Sequence, residues 1–188
     1  MKVLVILADG FEEVEALTPI DLLRRAGADV TVCGLEKCGS DSTVRGSHNL
    51  RVQTDCLLSE RKDDVFDAVV LPGGMPGSKN LALSSDVKDV VMKAYKADKL
   101  VCAICAAPVV VLAPLGILDG KKAVCYPGME IKGGKIDFLS DKVCSSGNVI
   151  TSRGVGTAID FSLKITERLF GTDRAEKLAA DIVYSGRI

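Results

Sequence analysis

The sequence has no tryptophan, only three tyrosines and five phenylalanines, and a single histidine. Each scarcity excludes something. With His48 alone and no second close cysteine pair, a zinc centre lacks ligands. Lysine and arginine are scattered, the net charge is −1, and no aromatic residues interleave with the basic ones. A nucleic-acid surface of base-stacking platforms and clustered cations is therefore not indicated. No Gly-x-Gly-x-x-Gly follows the first apolar run and no glycine-rich segment ends in Gly-Lys-Ser/Thr, so no phosphate loop supports a nucleotide-related biosynthetic role. The apolar run Lys2–Ala8 stops at Asp9-Gly10 and is followed by Glu12, Glu13 and Glu15. It reads as neither a signal peptide nor a membrane span.

Cysteine is not scarce. Seven occur, at Cys33, Cys38, Cys56, Cys102, Cys105, Cys125 and Cys144. An odd number spread along a chain without an export signal reads as reduced thiols in a cytoplasmic protein. The 188 residues, 47% hydrophobic and 26% charged, suffice for one domain with a full core.

Short apolar runs alternate with helical patterns. Strands are expected at Lys2–Ala8, Asp29–Gly34, Ala68–Leu71 and Leu100–Ile104, the last central. Shorter ones are expected at Ala123–Cys125, Val143–Cys144 and Val149–Thr151, at the edge of the sheet. Helices are expected over Glu12–Ala26, Asp86–Ala97 (capped by Ser84 or Ser85), Pro108–Leu115, Thr157–Phe170 and Arg174–Val183. A polar, glycine-containing stretch follows the second strand, then a hairpin from Thr43–Arg45 and Leu50–Thr54. This order predicts an α/β fold, a doubly wound, mostly parallel sheet with helices on both faces, as one domain over residues 1–188.

Cys105 ends the apolar run Leu100–Ile104, and small residues and Pro108 follow it. A side chain at such a strand-to-helix turn sits at the carboxyl end of the sheet, where open α/β folds place ligands. It faces free N–H groups and the positive end of a helix dipole, which favour thiolate. The same geometry presents the serine of hydrolase nucleophile elbows. Two other strand ends supply candidate partners. Asp9 with Glu12 fits a capping box, and Glu12 and Glu13 fit dipole stabilisation in a first turn. Glu15 lies beyond that turn, near the apolar side of the helix. Buried, it would stay protonated and donate to a thiolate; most helix acids are instead solvated. After Leu71-Pro72, Gly73-Gly74 lets the backbone come close to another group, so the N–H of Gly74 and that of Ala106 can form an oxyanion hole beside Cys105; an ordinary β-to-helix turn uses the same residues. Cys102 and Cys105 spell Cys-x-x-Cys, but Cys102 falls inside the strand and reads as core. His48 falls in an exposed loop.

Four segments together carry a resemblance. Val5-Ile6-Leu7-Ala8-Asp9-Gly10-Phe11-Glu12-Glu13-Val14-Glu15, Val70-Leu71-Pro72-Gly73-Gly74, Ala103-Ile104-Cys105-Ala106-Ala107-Pro108 and Thr151-Ser152-Arg153-Gly154-Val155-Gly156-Thr157 resemble the ThiJ/PfpI superfamily, in its DJ-type branch, that of the parkinsonism-associated protein deglycase. The resemblance implies a flavodoxin-like sandwich and a homodimer. It implies that Cys105 is the nucleophilic, oxidation-prone cysteine, that Glu15 is its partner glutamate, and that Gly74 and Ala106 are its backbone donors. Arg45 and Arg153 match arginines near the family's site, although solvated arginine reads equally well for both. Tyr126-Pro127 stands where many members carry a histidine, and a tyrosine is a poor base at neutral pH. Cys102 replaces a small apolar residue and Val155 a proline. The implied activities are cofactor-free and metal-free glyoxalase or deglycase chemistry on small dicarbonyls such as methylglyoxal, in protection from oxidative stress. The implied alternative is a redox sensor or chaperone in which oxidation of Cys105 to sulfinic acid is the signal.

Overall fold

Strand β1 (Lys2–Leu7) places five consecutive residues, Val3 to Leu7, out of contact with water. A strand can be apolar on both sides only if both sheet faces are covered. The computed structural model describes residues 1–35 and 42–186. In chain order β1 is followed by α1 (Glu13–Ala26), β2 (Asp29–Gly34), β3 (Thr43–Arg45), β4 (Arg51–Gln53), β5 (Cys56–Leu57), β6 (Ala68–Leu71), α2 (Gly77–Leu83), α3 (Ser85–Lys96) and β7 (Leu100–Ile104). Then come β8 (Lys122–Ala123), β9 (Asp137–Phe138), β10 (Val143–Ser146), β11 (Val149–Ser152), α4 (Ala158–Phe170) and α5 (Thr172–Asp181).

Seven strands form one sheet in the order β10-β11-β7-β6-β1-β2-β5. All neighbouring pairs are parallel except β10 with β11. One face is covered by Leu81 of α2 and by Val87, Val90, Val91 and Ala94 of α3, packed on Leu4, Ile6, Val69 and Val101. The other is covered by Ala16, Ile20 and Leu23 of α1 and Phe161 and Ile165 of α4, packed on Val3, Val5, Val70 and Ile104. This is the flavodoxin-like sandwich. The chain passes from β1 to β2 on one side and to β6 on the other, so the crevice at the carboxyl ends of β1 and β6 is a topological switch point. No helix among the described residues is long and apolar enough to cross a membrane.

Several details depart from expectation. β6 occupies the middle of the sheet, and β7 is one place off-centre. β11 is interior, while Lys122–Ala123 pairs with Asp137–Phe138 in a separate two-stranded sheet. Helix α2 and the two-residue β5 were not anticipated, being too short to show a period. The helix expected over Pro108–Leu115 is a π-helical turn (Pro108–Leu112) followed by a 3-10 turn (Ala113–Leu115); Pro114 has no N–H to continue an α-helical ladder. Glu12, not Asp9, caps α1, and Ser84 caps α3. The stretch containing Cys38 lies outside the described residues.

Phe161 is fully buried between the sheet and α1. We expect Phe161→Ala to destabilise the fold by roughly 3–5 kcal/mol, read as a lower urea midpoint at unchanged m-value. A loss under 1 kcal/mol would mean that the sandwich does not close on this side chain.

Candidate active site

The carboxyl ends of β7, β6 and β1 lie side by side and bring four expected residues together. Cys105 follows β7 directly and holds φ at 64°, the left-handed region, which costs a residue with a Cβ on the order of 1–3 kcal/mol. Two hydrogen bonds hold it there: its N–H donates to the Ser152 carbonyl at 2.9 Å, and its carbonyl accepts the Tyr126 N–H at 2.8 Å. The half-buried side chain is thereby turned off the strand and into the crevice. The backbone N–H groups of Gly74 and Ala106 are directed at its sulfur.

Glu15 comes from the opposite side. Its carboxyl is completely buried. The α1 N-terminus is set by Glu12, whose Oε2 accepts the Glu15 N–H at 2.7 Å. One turn on, Pro19 has no N–H to give to the Glu15 carbonyl, so this turn is one hydrogen bond short. Glu15 Oε2 accepts the Gly73 N–H at 3.0 Å, and buried Oε1 has no hydrogen-bond partner among the described residues.

Gly73 is the residue the sequence reading passed over in favour of its neighbour. A Cβ there would stand 2.5 Å from both Cys105 Cβ and Glu15 Oε2, so only glycine lets the backbone run between acid and thiol. Gly74 holds φ at 87°, and a Cβ on it would meet the Glu12 nitrogen at 2.4 Å. The doubled glycine was the available signal; one residue is needed for closeness and the other for conformation as well.

The charges differ from the sequence expectation. Burial pushes the Glu15 carboxyl up from 4.5 to about 7; the Cys105 thiol and the Gly73 N–H pull it down, and the Glu12 charge adds to the rise. Burial also pushes the Cys105 thiol up, to about 12, with the Glu15 charge and hydrogen bond adding to it and the N–H groups of Gly74 and Ala106 acting against it. The resting form is thus thiol. Backbone donors at the elbow are real, but they do not outweigh desolvation and a neighbouring carboxylate.

The remaining candidates are disposed differently. Tyr126 is exposed, and its ring lies beside Gly154, where a Cβ would be 3.6 Å from Tyr126 Cδ2 and 3.7 Å from Glu15 Oε1. Arg153 turns away, donating to the Ser140 carbonyl at 3.1 Å. The Arg45 guanidinium is occupied by Asn49 Oδ1 at 2.9 Å, while its N–H donates to Asp9 Oδ1. Cys102 is fully buried, and burial drives its thiol far up, so it is core.

Glu13 was read as a first-turn acid stabilised by the helix dipole; it is in that turn, but buried and bonded to a distant residue. Its carboxylate accepts the His48 N–H at 2.6 Å and meets the exposed His48 ring at 2.9 Å. Burial opposes ionisation of Glu13, but these bonds and one from the Leu50 N–H hold it below 4.5, and the pairing raises His48. Glu12, Glu13 and His48 place three ligand-type atoms within 4.8 Å of one another. Both Glu13 oxygens are already engaged with the hairpin, so the cluster is an anchor for it.

A positive-φ cysteine after an interior parallel strand, a buried glutamate on the first helix and a glycine pair between them follow one another along a sequence matched over residues 1–168 by the DJ-1/PfpI family. The chain belongs to that family. It is 42% identical over 184 residues to the Drosophila melanogaster protein dj-1beta, covering 97% of this chain and 96% of that one. It is 35% identical over 169 residues to the Caenorhabditis elegans glutathione-independent glyoxalase DJR-1.2, covering 89% and 87%. It spans less than half the length of the Arabidopsis thaliana relatives DJ-1 homolog B (39% identity over 183 residues; 97% of this chain, 41% of that one) and DJ-1 homolog A. Among solved structures, oxidized Toxoplasma gondii DJ-1 superposes with a TM-score of 0.91 at 38% identity over 98% of this chain and 99% of that one.

The raised acid has a thermodynamic signature. A carboxyl whose pKa is higher folded than unfolded keeps its proton in the native state, so native stability falls as pH rises through the interval between the two values. For Glu15 that interval runs from 4.5 to about 7, worth roughly 3–4 kcal/mol in full at about 1.4 kcal/mol per unit. Urea unfolding of wild type and Glu15→Gln at pH 5 and pH 8 should show wild type losing most of that, about 2–3 kcal/mol, relative to the variant. A pH-independent gap would mean that Glu15 ionises normally.

Proposed function

We propose that this chain is a cysteine-dependent, glyoxalase-type enzyme acting on small dicarbonyls such as methylglyoxal or on their early adducts, and needing no cofactor or metal for its chemistry. The observation that carries this reading is the placement of buried Glu15 and half-buried Cys105 on either side of Gly73, with two N–H groups at the sulfur. The name of the nematode relative supports it.

The resting thiol and the carboxylate form of Glu15 together make the nucleophile. Sulfur attacks the aldehyde carbon as Glu15 takes the thiol proton, and the new hemithioacetal oxygen develops charge near the N–H groups of Gly74 and Ala106. Glu15 returns that proton to the hemithioacetal oxygen. As carboxylate again, it removes the hydrogen of the former aldehyde carbon and delivers it to the neighbouring carbonyl oxygen, giving an enediol. It then takes the proton of the first hydroxyl as the thioester carbonyl forms and gives it to the adjacent carbon. Water cleaves the resulting thioester, releasing the hydroxy acid and restoring the thiol. Methylglyoxal and water become lactate, and every proton is accounted for by one carboxyl. Tyr126, beside Gly154 and without a basic role, bounds the substrate space.

Redox sensing at the same thiol is the second reading, favoured by the partnerless Glu15 Oε1. Peroxide oxidation of Cys105 would yield a sulfinate oxygen for the protonated carboxyl to bond. A second copy of the chain is the proposed partner, since Val14 and Leu17 of α1 and Ile159 of α4 expose large apolar side chains; a cytoplasmic setting would keep the thiol reduced.

Two measurements test this. Conversion of methylglyoxal to lactate, with metals chelated, should fall at least about a thousandfold in Cys105→Ser, as expected for loss of a nucleophile. In wild type, kcat/KM should rise with pH through about 7 as Glu15 ionises. Full turnover in the variant would refute covalent catalysis; no turnover in either, with stoichiometric sulfinate at low peroxide, would favour sensing. Light scattering should give twice the monomer mass, and a monomer at micromolar concentration would overturn the dimer.

A further inference from the structure

We infer that Cys33 and Cys56 form a second oxidisable site, a dithiol that peroxide converts to an intramolecular disulfide without the participation of Cys105. The two residues are register partners on the parallel pair β2 and β5. Their side chains emerge on the same sheet face, that of Leu58 and Val69, and Cys33 Sγ lies 3.3 Å from Cys56 Sγ. Neighbouring strands run about 4.7–4.9 Å apart, inside the Cα separation of roughly 4.4–6.8 Å that disulfides span. Closing the sulfurs to a bond of about 2.05 Å therefore asks for side-chain rotation and little backbone movement.

Access is asymmetric. Cys33 is fully buried and Cys56 half-buried, so oxidant arrives at Cys56. The Arg61 guanidinium supplies positive potential at both sulfurs, and the Asp55 carboxylate opposes it at Cys33. Cys56 thiolate attacks a peroxide oxygen, the O–O bond breaks, and sulfenic acid and one water form. Cys33 sulfur then attacks the sulfenic sulfur; its proton leaves with the hydroxyl as a second water, and the S–S bond forms. Two thiols lose two electrons and one hydrogen peroxide gains them. Burial drives the Cys33 thiol far up, so the second step relies on proximity and runs over minutes to hours.

The bond would close a loop between residues 23 apart that carries the β3–β4 hairpin. That hairpin meets the carboxyl end of β1, where the Arg45 carbonyl accepts the Gly10 N–H at 2.7 Å and Gly46 bridges Phe11. It would also lock the two-residue β5 to the sheet.

The test uses the full chain, as wild type, Cys105→Ser, Cys56→Ser and Cys33→Ala. Each is treated with hydrogen peroxide, quenched, alkylated in denaturant and digested without reduction for mass spectrometry. We expect the Cys33 and Cys56 peptides joined, two hydrogens lighter than their sum, in wild type and in Cys105→Ser, and unjoined in the other two. Oxidised wild type should also melt several degrees above reduced wild type, a shift absent from Cys56→Ser. Recovery of Cys33 and Cys56 both alkylated, or of Cys56 joined to Cys38, would overturn the proposal. Should a Cys33 or Cys56 variant fail to fold by circular dichroism, the mapping in wild type and Cys105→Ser decides alone.

Discussion

Burying a carboxyl at the end of β1 constrains most of what surrounds it. An ionised carboxylate in an apolar setting is costly unless it is paired or takes up a proton, and Glu15 receives a single N–H, from Gly73. The helix that carries it is therefore pinned from outside. Glu12 holds its first turn by a side-chain cap, and Glu13, also buried, ties the same turn to the β3–β4 hairpin through His48. Gly73 and Gly74, just past the end of β6, are the counterpart: any side chain at either position would enter the space that acid, thiol or helix cap occupies.

That arrangement makes thiol and acid one electrostatic unit. A charge on either raises the pKa of the other, and the backbone donors at the sulfur are too few to stabilise two negative charges side by side. Burial raises the pKa of both groups and so disfavours two charges side by side, and of the two the carboxyl lies nearer to changing state around neutral pH. A nucleophile of this kind differs from a preformed thiolate. In the proposed reaction its proton leaves only as a bond forms, so each turnover would depend on its acid.

The fold and the principal pair were legible in the sequence for different reasons. The sheet announced itself because a doubly covered strand must be apolar throughout, and Cys105 because an apolar run ended on it before small residues and a proline. Glu15 stood out because the sequence placed it past the first turn of the helix, and the resemblance strengthened that reading; α1 starts at Glu13, so Glu15 is in the first turn after all, and its burial needed the structure. What stayed hidden was set by tertiary packing. Short elements such as α2 and β5 have no period to detect. The capping role fell to Glu12 because Asp9 is held by the Arg45 N–H across the chain. Glu13 was explained by the helix dipole alone because its partner, His48, is 35 residues away. The thiol was expected to ionise because local geometry favours it, while the opposing terms come from burial and from a residue 90 positions earlier in the chain.

The same logic separates the two sulfur sites. Cys105 packs on the face covered by α1 and α4; Cys33 and Cys56 lie on the face covered by α3. With the sheet between them, they share no direct path for sulfur exchange. Yet both are tied to the carboxyl end of β1. Glu15 follows it in sequence, and the hairpin enclosed between Cys33 and Cys56 is hydrogen-bonded to it at Gly10. The proposed cross-link would restrain that hairpin, and with it the segment that positions the acid, without touching Cys105. Coupling between the sites would therefore be mechanical and would act on Glu15 rather than on the thiol. The contacts of Glu13 with Ser47 and His48 join the hairpin to the first turn of α1, so any such coupling would pass through them.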